Sequence, residues 1–165
     1  MITLNLQQLF TMQRQLDQHI EDKHQLHKED LVPRKLLALL VEMGELANET
    51  RCFKFWSVKP PAEDAVILEE FVDGVHFILS LGIEKGYDDL TELPKVKAAD
   101  SKTTQFLQVF AQVSAFEQDL SKENYVNMFA SYMKLGDMFG FSAEHIEEAY
   151  MSKNEVNFKR QEQGY

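Results

Sequence analysis

Two groups of carboxylates are the residues of this chain most able to do chemistry. Glu42-x-x-Glu45, with Glu49 one turn on, stands in LLALLVEMGELANE. Glu70-x-x-Asp73, with Glu69 adjacent, stands in VILEEFVDGVHFILSLG. An i,i+3 spacing puts both members of a pair on one helix face. Each pair lies among apolar residues, where a helix buries its surface. Like charges there repel and are costly without a cation between them. A hard divalent ion such as Mg²⁺ suits them, because carboxylate oxygens are its preferred ligands. Spacing alone leaves a plainer reading open, in which both pairs are solvated helix faces.

A second set lies near the C-terminus. Lys153, Asn157 and Arg160 have i, i+4, i+7 spacing and share a face, beside Asn154 and Gln161. Two cations and an amide on one face suit a polyphosphate, although an ordinary exposed helix would look the same. Trp56 is the single tryptophan and falls between Lys54 and Lys59, where a ring beside cations can stack on a base or plug the end of a bundle. Asp73-x-x-His76 has the form of half a di-iron carboxylate site, but no second helix supplies the Glu-x-x-His partner that such a site needs.

These residues need long helices to hold them, and the chain has the periodicity for it. Glycine and proline are scarce, at 7 and 4, and no alternating strand pattern stands out. The expected fold is an all-α bundle of about six helices. The first spans roughly 4–24, with Leu6, Leu9, Phe10, Gln13, Leu16, Asp17 and Ile20 near one side. The second starts near Pro33, since proline is tolerated in a first turn, and runs to about Arg51. CFKFWSVKPP breaks the pattern and reads as a loop carrying side chains toward a site. Glu63 and Asp64 suit the start of a third helix, and Gly86 its C-cap. The stretch 87–103 reads as a connection. Two helices at about 104–120 and 123–138 follow, and Ser142 caps a last one reaching toward Gln161.

At 165 residues with a 44% hydrophobic content, the expectation is one domain, 1–165, with a substantial core. The lone Cys52 rules out an intrachain disulfide. A net charge of −10 and the lack of a basic stripe argue against a nucleic-acid polymer as partner. Carboxylates loaded with Mg²⁺ would nonetheless receive a small anion. No apolar run approaches membrane-spanning length, and MITLNLQQLF has no signal-like pattern, so a cytoplasmic location is expected.

Taken together, the motifs resemble the dimeric, all-α dUTPases, which are related to the MazG-type nucleotide pyrophosphohydrolases. The resemblance rests on Gln13 and Asp17 in FTMQRQLD, the two acidic pairs, FKFW, VHFILSLG and the terminal KNEVNFKRQEQGY. The acidic pairs are shared across the wider superfamily, whereas KN-x-x-N-x-x-RQ-x-x-GY is much more specific to the dUTPase branch. The resemblance implies a homodimer that hydrolyses dUTP, and dUDP as well, to dUMP. Glu42, Glu45, Glu70 and Asp73 would hold two or more Mg²⁺ ions. Glu45, with Glu49 near it, would orient and deprotonate the water attacking the α-phosphorus. Lys153, Asn157, Arg160 and Lys59 would bind phosphate, with Tyr165 closing over the nucleotide. Gln13 would meet the uracil edge and Trp56 its face. His76 and Phe77 would line the deoxyribose, Phe77 leaving no space for a 2′-hydroxyl. Asp17 falls beside the base, but while ionised it cannot donate to a uracil carbonyl. The alternatives are a superfamily member with other or broader base specificity, and a catalytically idle helical interaction protein.

Overall fold

The computed structural model describes residues 3–164. Six helices account for its regular structure: α1 Leu6–His24, α2 Val32–Thr50, α3 Asp64–Lys85, α4 Lys102–Gln118, α5 Lys122–Met138 and α6 Ala143–Glu162. No strand occurs among the described residues. The helix limits follow local chemistry. Asn5, Ser101, Ser121 and Ser142 each accept a hydrogen bond from a first-turn amide, which satisfies an otherwise orphaned donor. Asn5 thereby starts α1 two residues later than the periodicity predicts. Gly86 ends α3 at φ 76°, a conformation that costs glycine little.

The centre of the bundle is α3. Along it Phe71, Val72, Val75, Ile78, Leu79 and Leu81 are buried against neighbours on all sides. Helix α2 runs antiparallel to it, since Lys35 meets Glu84 at one end while the Ala62 amide donates to the Glu49 carbonyl at the other. On a second side α6 is also antiparallel, pairing Tyr150 with His76 and Lys153 with Asp73. Beside both lies α1, whose Gln13 and Asp17 reach His76 and Ser80.

Helix α5 closes the rear of α3. Tyr132 and Tyr125 cross to donate hydrogen bonds to the carbonyls of Phe71 and Ile78, each at 2.7 Å. They approach so closely because Gly74 and Gly82 carry no side chain. A Cβ at Gly74 would lie 2.6 Å from Tyr132 Cζ, and one at Gly82 2.6 Å from Tyr125 Cζ. Filling either notch forces the ring to move, an overpacking cost of about 1–3 kcal/mol. The packing of α3 therefore sets Gly74 and Gly82 to the rear, under the tyrosines of α5, and Asp73, His76, Phe77 and Ser80 to the front.

Candidate functional site

On that front face, α1, α2, α3 and α6 enclose a cleft of about 340 Å³. Its walls include Gln13, Asp17, Glu42, Asp73, His76, Phe77, Lys153, Asn157 and Arg160. Nine of the residues singled out from the sequence thus converge on one cavity from four helices. Antiparallel packing of α2 on α3 is what joins the two acidic motifs. One carboxylate oxygen from each of Glu42, Glu45 and Glu70 falls within 4.8 Å of the other two. Glu49 lies one turn further along α2, close enough for its charge to act on Glu70.

The acidic group is poorly compensated. Burial raises the Glu42 carboxyl to about 8, reinforced by the charges of Asp73 and Glu45. Burial and the charges of Asp73 and Glu45 likewise bring Glu70 to about 7. Glu42 Oε2 and Glu70 Oε2 are buried and have no hydrogen-bond partner among the described residues. Two orphaned acceptors in a cluster of three carboxylates fit a hard divalent cation, which would satisfy both and remove the repulsion. The plain reading of solvated faces does not account for buried oxygens.

Lys153 faces this group from α6. Its ammonium lies 2.8 Å from Glu69 and 3.4 Å from Asp73. Burial alone would lower the Lys153 pKa, but these carboxylates outweigh it and raise it. Burial pushes Asp73 up, and Lys153 and then Arg160 pull it back. The phosphate-type cations of α6 thus already face the acidic residues across the cleft.

The closed end of the cleft is a buried polar network. Burial lowers His76 to about 3, so the imidazole is neutral. Its Nδ1 donates to Gln13 Oε1 at 2.6 Å, and the ring stacks on Tyr150 at 4.1 Å. The side chains close enough to share an ion among the described residues are Glu42, Glu45 and Glu70, and His76 is not one of them. Its Nε2 is buried and has no partner among the described residues. Gln13 Nε2 donates to Asp17 at 2.8 Å, and Ser80 Oγ donates to the other Asp17 oxygen at 2.7 Å.

Trp56 and Lys59 do not line the cleft of their own chain. Trp56 is 64% exposed and packs edge-on against Phe53 and Phe55. The Lys59 carbonyl receives Arg51 while its side chain stays at the surface. Tyr165 lies outside the described residues. Reading charge alone missed Lys35, Ser80 and Tyr150, although helical spacing marked them. Lys35 precedes Glu42 by two turns, Ser80 follows Asp73 by two turns, and Tyr150 precedes Lys153 by one.

An all-α bundle with clustered carboxylates facing cations across one cleft describes a helical nucleotide hydrolase. The family model for dUTPase matches residues 5–165, and the chain belongs to that all-α dUTPase family. Membership makes it an enzyme that hydrolyses dUTP, and the family suggests a divalent metal, which the glutamate cluster fits. No curated protein matches the chain. No helix of the described residues is long and apolar enough to cross a membrane.

Proposed function

We propose that the enzyme hydrolyses dUTP, and dUDP as well, at the α-phosphorus in a Mg²⁺-dependent reaction, releasing dUMP. The observation that carries this reading is the juxtaposition, across a single cleft, of Asp73 and of Glu42, whose Oε2 is orphaned among the described residues, with Lys153, Asn157 and Arg160. Glu42, Glu45, Glu70 and Asp73 would hold the ions. When bound, these supply positive charge against the phosphate chain and the leaving group. Glu45, the exposed member of the acidic cluster, orients the attacking water and takes its proton, with Glu49 adjacent. On the opposite wall Lys153, Asn157 and Arg160 bind phosphate oxygens, for which Lys153 exchanges Glu69 and Asp73.

His76 and Phe77 line the sugar. Neutral His76, with its Nδ1 hydrogen committed to Gln13, keeps Nε2 as a bare acceptor for a sugar hydroxyl. Phe77 stands next to it and excludes a 2′-hydroxyl by shape. Gln13 and Asp17 meet the base edge.

Homodimerisation has support in an unpartnered apolar surface. Leu37 and Val41 are 64% and 52% exposed on the same face of α2 as Glu45. In the following loop Phe55, Trp56 and Val58 are more exposed still or equally so. A second copy seated there would cover these residues and could bring Trp56 and Lys59 to a cleft. A cytoplasmic location agrees with the lone cysteine.

One set of assays tests the reading. Hydrolysis of dUTP, dUDP, dTTP, dCTP and UTP is compared with Mg²⁺ and with chelator, in ¹⁸O-labelled water. Label in dUMP, loss of turnover in chelator and preference for the deoxyuridine nucleotides are expected. Label in the released phosphate product would refute attack at the α-phosphorus. Equal turnover of all five substrates would favour the broader-specificity reading, and sedimentation of a monomer would refute the dimer.

A further inference from the structure

At the closed end of the cleft, Gln13, Asp17 and Lys35 stand in a row. The orientation of the Gln13 amide is fixed by its neighbours. Its Oε1 receives the Tyr150 hydroxyl at 2.7 Å and the His76 Nδ1–H at 2.6 Å. Reversing the amide would set its carbonyl 2.8 Å from the Asp17 carboxylate, oxygen against oxygen. The Nε2 group therefore carries its hydrogens toward Asp17, and one of the two remains for the cleft.

Asp17 is held as an acceptor. Gln13 and Ser80 each donate to one of its oxygens, and the Lys35 ammonium lies 3.9 Å away. Lys35 is anchored by Glu84 at 2.7 Å, and its side chain is only 13% exposed. An ammonium has three hydrogens, so the pair with Glu84 leaves donors for the cleft that Lys35 lines. The order along the wall is donor, acceptor, donor.

The imide edge of uracil is the complement: carbonyl, N3–H, carbonyl. The cytosine edge is carbonyl, bare N3, amino group, which would set a lone pair against a carboxylate and an amine against an ammonium. We propose that Asp17 accepts the N3–H of the base while Gln13 and Lys35 donate to its flanking carbonyls, making Lys35 and Asp17 the pair that selects uracil over cytosine. Tyr150 acts through Gln13 as a positioning residue. This deepens the reading of the cleft as the nucleotide site and rests on it.

The test combines variants with a probe that needs none. Steady-state constants for dUTP and dCTP are measured in the wild type and in Lys35→Met, Lys35→Arg and Tyr150→Phe. Lys35→Met should raise KM for dUTP and cut the dUTP-to-dCTP preference by about 10- to 100-fold, the scale of one hydrogen bond to a charged group, with kcat changed far less. Lys35→Arg should restore most of the preference, and Tyr150→Phe should shift KM in the same direction by less. Independently, calorimetry on metal-free wild type should show binding of deoxyuridine and loss of binding for N3-methyldeoxyuridine, which has no N3 hydrogen to give. A Lys35→Met enzyme that keeps the wild-type preference, or equal binding of the two nucleosides, overturns the row. Should dUTP still be turned over in that case, the metal and phosphate assignments stand without it.

Discussion

Glu45 is the exposed member of an acidic cluster whose other two members hold buried, orphaned oxygens. The exposed carboxylate is the one that can reach water. Glu45→Gln removes a charge and a base without changing shape, so the fold should persist while kcat falls by at least about 10²-fold. Single-turnover assays at saturating Mg²⁺ check this, and near-normal turnover would rule out the role. Phe77, next to His76, makes a separate prediction. Phe77→Ala opens space at the sugar, so the preference for dUTP over UTP should shrink by about 1–3 kcal/mol in kcat/KM. An unchanged ratio would move the sugar pocket elsewhere. Charged and motif-bearing residues of this site were legible in the sequence, because carboxylates at i,i+3 on an apolar helix are conspicuous. Lys35, Ser80 and Tyr150 were not, because whole-turn spacing from a motif is too common to single out a lysine, serine or tyrosine until its neighbours across the cleft are known.

Among the elements, α6 is the one whose order should depend on ligand. Its buried residues are Ile146, Tyr150 and Asn154, and none follows Asn154. The last turns rest on contacts such as His19 with Phe158 and His24 with Gln161. Few buried apolar contacts mean low local stability. Hydrogen exchange over residues 155–164 should therefore slow when a non-hydrolysable dUTP analogue binds. Arg160→Ala should weaken that binding by roughly 1.5–3 kcal/mol, the scale of a charged hydrogen bond. Equal protection in both states would refute ligand-dependent ordering of the end of α6. Every helix was legible from periodicity and caps, with limits shifting by one or two residues where a cap decided. Which helix sits at the centre was not legible. That α3 holds this place follows from Gly74 and Gly82 admitting two tyrosines from α5, a contact far apart in sequence. Nor could the sequence show that the aromatic loop after α2 stays away from its own cleft.

For the whole molecule, the acidic cluster links stability to pH and to metal. Glu42 stands at about 8 and Glu70 at about 7, both above the ordinary 4.5 of an unfolded chain. The folded protein therefore binds more protons than the unfolded one across that interval, and metal-free stability is lost as pH rises through it. His76, lowered to about 3, opposes this only below its ordinary 6.5, where the unfolded imidazole takes up a proton. From about pH 6.5 upward the opposition of His76 ends, while Asp17 and Asp73, also raised by burial, act in the same direction as the glutamates, so the melting temperature of metal-free protein should fall between about pH 6.5 and 9. Millimolar Mg²⁺ should abolish most of that fall, since the cation displaces the protons and binds only the folded site. A pH-independent melt, or one that Mg²⁺ leaves unchanged, would count against a shared cation site. The two-sided use of α3 has a further consequence for how this enzyme can vary. On the proposed function one side of the helix serves metal and substrate, and the other holds glycines under tyrosines. Almost no surface is left on which change is harmless. A saturation library of the whole chain should show residues 70–82 as its most depleted stretch under selection for activity. Drift should instead collect in α4, which touches α2 and α5 but contributes nothing to the cleft wall.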